Sequence, residues 1–157
     1  MPLPAYIEPY WPQIQDIAAQ YGFDPYLIAG IGDRETRWGT HPACKPKGPA
    51  CLGDRGHGHG LMQIDDRSFP DFCKDHAQWA DPAKNIAKGC AVLRDKLHYL
   101  RHKGLAESAL LQAAVAAYNC GEGNALRAYL LGLPFDHYTT GGDYSEDVFK
   151  RMEGFRA

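Results

Sequence analysis

Three carboxylates in this 157-residue sequence sit where an acid and a base could work together. Glu35 follows Ile28 and Ile31 and precedes Trp38 at the three-and-four spacing that keeps side chains on one face of a helix. An acid thus shares a stripe with residues expected to be buried. Partial burial disfavours the ionised form, raises the pKa and keeps a proton available near neutral pH, as a general acid requires. Asp54 and Asp65 bracket the glycine-rich stretch GDRGHGHGLMQID. One carboxyl that protonates a leaving oxygen and another that activates water or attacks is the set that cleavage of a glycosidic bond needs. Each acid also has a plainer reading: Glu35 as the ion-pair partner of Arg34 or Arg37, Asp54 as a turn residue, and Asp65 as a cap for the segment that begins at Asp66.

Around these acids lie groups that can bind. A strand over 61–65 would place Leu61, Gln63 and Asp65 on one face and Met62 and Ile64 on the other, with the latter pair packed inward and Gln63 and Asp65 on the open side. His57 and His59 put two imidazoles close together, but no further ligands stand at a definite metal spacing. They are expected to be solvated turn residues or to hydrogen-bond into a cleft, and no metal or other cofactor is expected. In AAYNCGEGNA, Tyr118 and Asn119 end an apolar helix. That is an ordinary helix terminus, yet a ring and an amide side by side also suit a sugar, whose CH face stacks and whose hydroxyl and N-acetyl groups hydrogen-bond.

The elements that must position these residues are mostly helical. Ile14, Ala18 and Tyr21 predict a helix over 11–21 that stops at Gly22, and Asp24-Pro25 starts a second one that runs to about Trp38. The glycine-rich turn predicts one small hairpin. Asp81-Pro82 begins a long helix with Ile86, Cys90, Leu93, Leu97 and Leu100 inward, ending before Gly104. Further helices are expected over about 107–118, about 124–131, and from Asp143 to Phe155. The reading is a mainly α fold, six to seven helices with one small β-hairpin, in a single unit over 1–157 without repeats or linkers.

Bulk composition excludes several classes. Hydrophobic residues make up 45% and charged ones 23%, which are globular values, and no apolar run approaches the ~20 residues needed to cross a bilayer. A net charge of -2 gives no positive field to gather nucleic acid, anionic lipid or an anionic wall. The start MPLPAYIEPYW shows no signal peptide. Five cysteines, none in a CxxC pair, leave at least one thiol free in a monomer. Cys44 and Cys51 flank a Pro/Gly/Lys loop and can close it as a disulfide, and Cys90 reads as a buried thiol.

ETRWG, GDRGHGHGLMQID and AYNCGEGN, in this order, resemble the goose-type lysozymes and, more distantly, the lytic transglycosylases. The resemblance spans about residues 24 to 155, including GGDYSEDVF near the end. It implies a lysozyme-like α+β fold and hydrolysis of the β-1,4 bond between N-acetylmuramic acid and N-acetylglucosamine in peptidoglycan, with inversion. By position, Glu35 matches the general acid, Asp54 and Asp65 the carboxylates that hold the attacking water, and Gln63, Tyr118, Asn119 and Tyr144 the lining of the saccharide cleft. It further implies a monomer that acts on glycan strands of the cell wall, outside the cell or after release. Two rivals are a transglycosylase, which uses the muramyl 6-hydroxyl and needs no water-activating aspartate, and a silent wall-binding module, which needs no acids at all. Three positions depart from the family pattern: Thr36 where serine is commoner, Cys120 at a usual alanine, and His59 at a position often aromatic.

Overall fold

A computed structural model describes residues 3–157. Helix α1 (Trp11–Tyr21) buries Ile14, Ile17 and Ala18 and stops at Gly22, which takes a left-handed φ of 73°. The Asp24 side chain accepts from the Tyr26 amide at 2.9 Å and Pro25 opens α2 (Pro25–Thr36), as the Asp-Pro signal predicts. Residues Leu27 to Asp33 of α2 are all buried.

Helix α2 ends two residues earlier than the apolar spacing suggests. Arg37 and Trp38 both adopt left-handed backbone angles, φ 49° and 50°, so the chain leaves the helix before the tryptophan. Trp38 is therefore not on the helical stripe beside Glu35. It folds back instead, with Nε1 donating to the Ala29 carbonyl at 3.0 Å and its ring over Gly32, where a Cβ would stand 2.4 Å from a ring carbon. Only glycine fits at 32, because a Cβ there would overlap the buried Trp38 ring.

Three short strands follow: β1 (Leu52–Gly53), β2 (Gly58–His59) and β3 (Ile64–Asp65), antiparallel in the order β1-β2-β3. Gly53 pairs with Gly58, which in turn pairs with Asp65. The expected single hairpin is thus extended by a third strand. Residues 61–63 are turn rather than strand, and Leu61 is buried together with Met62 and Ile64, so strict alternation fails at Leu61. The cause is the reversal at Gly60 (φ 78°) and Gln63 (φ 50°), closed by a Gln63 amide bond to the Gly60 carbonyl at 3.2 Å. A disulfide joins Cys44 to Cys51 in the loop before β1, and Cys73, Cys90 and Cys120 are free thiols.

Helices α3 (Pro70–Cys73) and α4 (His76–Trp79) are single turns too short to show a periodic pattern. Helix α5 (Pro82–His102) buries Ile86, Cys90, Leu93 and Leu100, with Leu97 half-buried. Helices α6 (Glu107–Cys120), α7 (Glu122–Leu130) and α8 (Tyr144–Arg156) complete the eight α-helices found among the described residues. The mainly α class with a small β element holds, and the helix count rises through the two single turns.

The chain packs as two compact units, residues 1–90 with 151–157, and residues 91–150. In the first, Arg151 and Arg156 of α8 pair with Asp33 and Asp24 of the α2 region. In the second, α6 is buried all round from Ala113 to Ala117. The start of α8 is capped from a distance. Buried Asp136 accepts from the Ser145 amide at 2.8 Å, the Ser145 hydroxyl at 2.7 Å and the Glu146 amide at 3.1 Å, which satisfies donors that a helix N-terminus leaves over.

Candidate active site

Glu35 is half-buried as the penultimate residue of α2. The next residue fixes its height. Thr36 is buried, its hydroxyl donates to the Leu61 carbonyl at 2.7 Å, and it accepts from the Gly39 amide at 3.1 Å. The helix end that carries Glu35 is therefore bonded to the turn that leads into Gln63 and Asp65.

Asp54 directly follows β1 in a left-handed conformation, φ 45°, which aspartate enters more readily than most residues other than glycine. Its side chain is 62% exposed. Asp65 ends β3 and is half-buried. Arg67 joins them, with Nε donating to Asp65 Oδ1 at 2.8 Å and Nη2 to Asp54 Oδ2 at 2.6 Å. The Ser68 hydroxyl donates to Asp65 Oδ2 at 2.9 Å. Burial alone would raise the Asp65 pKa, but the hydrogen bonds from Arg67 and Ser68 outweigh it and hold the carboxyl below its ordinary value. Asp65 is thus an anion at neutral pH, as a group that orients water should be.

Gln63 lies across the sheet. Its Nε2 donates to the Gly60 carbonyl at 2.9 Å, and its Oε1 would stand 2.1 and 2.2 Å from a Cβ at Gly53 and Gly58. Those two paired glycines leave the amide the room it occupies. His57 shares a 2.8 Å bond with Asp66, whereas His59 is buried, bonds the His57 carbonyl at 3.0 Å and meets Trp79 edge-on. His59 is therefore a packed residue rather than a solvated turn histidine. Among the described residues no three His, Cys, Asp or Glu side chains gather as a metal site would need.

The other expected binding residues belong to the second unit. Tyr118 is half-buried near the end of α6. The Asn119 side-chain oxygen Oδ1 accepts from the Thr140 amide at 2.8 Å and so anchors the turn Thr140–Gly142. Tyr144 is buried at the first position of α8, so its ring offers little surface to a ligand.

A family profile described as lysozyme g matches residues 4–157. The chain belongs to the lysozyme g family. It is 31% identical to lysozyme g of Epinephelus coioides over 96% of this chain and 76% of that protein, and 33% identical to lysozyme g of Takifugu rubripes over the same shares. Against lysozyme g of Gallus gallus the identity is 34% over 85% of this chain and 57% of that protein. Lysozymes g are muramidases that act on the peptidoglycan of cell walls, so the chain is a glycoside hydrolase. No helix among the described residues is long and apolar enough to cross a membrane.

The three positions expected to depart from the family pattern have distinct surroundings. At position 36 threonine keeps the hydroxyl that bonds Leu61, and its methyl is buried. The His59 ring packs edge-on against Trp79, at 4.9 Å between centroids. Cys120 is half-buried and burial pushes its thiol pKa up, which leaves it a poor nucleophile.

Sequence reasoning missed two residues of this site. Arg67 reads as a surface arginine, and only the fold reveals that one guanidinium reaches both aspartates. Asn85 sits in the first turn of α5, where an amide is unremarkable in sequence. It is fully buried: its Nδ2 donates to the His59 carbonyl at 3.0 Å and the Trp79 carbonyl at 2.9 Å, and its Oδ1 accepts from the Met62 amide at 2.8 Å. Gly60 must be glycine beside it, since a Cβ there would fall 2.3 Å from the amide nitrogen.

Proposed function

We propose that residues 1–157 act as one catalytic domain, a monomer without a cofactor, that hydrolyses the β-1,4 bond between N-acetylmuramic acid and N-acetylglucosamine with inversion. Glu35 is the general acid and gives its proton to the leaving glycosidic oxygen. Asp54 and Asp65 hold the water that attacks the anomeric carbon from the opposite face; the C–O bond to the leaving sugar breaks as the new one forms, and the water proton passes to a carboxylate. Gln63, Tyr118, Asn119 and Tyr144 are assigned to the glycan.

The observation that carries this reading is the bond from Thr36 to Leu61, which couples the helix end of the acid to the turn that precedes the water-holding aspartate. The charged state of Asp65, held by Arg67 and Ser68, further supports it. Replacing Glu35 by Gln tests the assignment. Turnover of purified peptidoglycan is expected to fall by roughly two or more orders of magnitude with folding intact. Turnover within a few-fold of the parent would give Glu35 a structural role instead.

A further inference from the structure

The two aspartates are not equivalent, although their sequence positions on either side of one glycine turn make them look so. Both oxygens of Asp65 have donors, Arg67 Nε on Oδ1 and the Ser68 hydroxyl on Oδ2. Asp54 spends only Oδ2, on Arg67 Nη2, and among the described residues its Oδ1 meets no donor. We propose that Arg67 is a positioning residue that locks Asp54 and Asp65 into one assembly, in which Asp54 Oδ1, the oxygen without a donor, takes the larger share in holding the attacking water while Asp65 also fixes the arginine.

The chemistry of the guanidinium makes this specific. Its N–H groups diverge in a fixed plane, so two bonds to two different carboxylates set the distance and tilt between them, which a single ammonium cannot do. Asp54 receives its bond from 13 residues further along the chain, on a side chain that is otherwise exposed. The Arg67 side chain is 60% exposed, and exposed ion pairs add little to folding stability, so the consequence of this clip is geometric. Of the nearby charges, Asp66 pairs with His57 and Lys88 lies over the ring of Phe69 at 4.2 Å.

The inference rests on the proposed role of the aspartates in holding water, and the test separates the two. Variants R67M, R67K, D54N, D65N and D54N/D65N are compared with the parent on solubilised peptidoglycan, reading kcat, KM and the thermal midpoint. For R67M, kcat is expected to fall by roughly ten- to a hundredfold, the scale of a small misplacement of reacting groups, with KM within about twofold. R67K is expected to recover only part of that loss, since it keeps the charge and not the two directed bonds. D54N is expected to cost more than D65N, a comparison that leaves Arg67 in place and decides the point even if R67M melts low. R67M with parental kcat, or D65N more damaging than D54N, overturns the proposal when D54N/D65N is inactive. A D54N/D65N protein with parental turnover would remove the water-holding role itself, and this inference with it.

Discussion

The Thr36 hydroxyl and the Leu61 carbonyl meet at 2.7 Å, a bond that ties the end of α2 to the turn before β3. Both groups are buried. Removing the hydroxyl therefore leaves a carbonyl without a partner and without access to water, a larger loss than the bond's net contribution.

Replacing Thr36 by Val keeps the shape and deletes the donor. It is expected to cost about 1–3 kcal/mol in urea unfolding and to lower kcat, while Thr36→Ser restores both towards the parent. A valine variant with parental stability and turnover would show that the helix end is held by other contacts.

Asn85 ties three backbone groups, on His59, Met62 and Trp79, with one side chain. Asn85→Leu fills similar space but leaves those groups unsatisfied, so a loss of roughly 3 kcal/mol or more is expected by denaturant titration. A change below about 0.5 kcal/mol, the range of ordinary surface substitutions, would mean that water replaces the amide without penalty.

Asp65 gives a pH signature whose sign follows from its depressed pKa. Burial opposes the shift, the Arg67 and Ser68 bonds win, and the folded value lies below the ordinary 3.8. Its stabilising contribution is then fully present above the unfolded value and is lost as pH falls through the folded one. The unfolding midpoints of parent and Asp65→Asn should differ by a constant amount from about pH 7 to pH 5, and the gap should close below about pH 4. A gap that widens as pH falls would place Asp65 in an environment that raises its pKa.

Much of this architecture was legible in the residues because the signals were local. Asp24-Pro25, Gly22 and the spacing of Ile86, Cys90, Leu93 and Leu100 each act within one or two helical turns, and the helices they mark are present. What escaped was non-local or left-handed. Trp38 fits the stripe of α2 by spacing, yet a chain reversal at Arg37 carries it back over Gly32. Leu61 fits a strand by alternation, yet the turn at Gly60 buries it. For the site, the acids were visible by type and order, whereas Arg67 and Asn85 act on partners 13 and 23 residues away and leave no periodic trace.

The stereochemistry of the first product tests the central claim most directly. Water that attacks opposite Glu35 at a β-linked sugar produces a new reducing end of α configuration, whereas a carboxylate nucleophile would give β through double displacement. Proton NMR of peptidoglycan fragments in the first minutes of digestion, before mutarotation mixes the anomers, is predicted to show the α signal growing first. An initial β signal would contradict inversion and the water-holding role of Asp54 and Asp65, and 1,6-anhydro ends would show that the muramyl 6-hydroxyl, not water, is the attacking group.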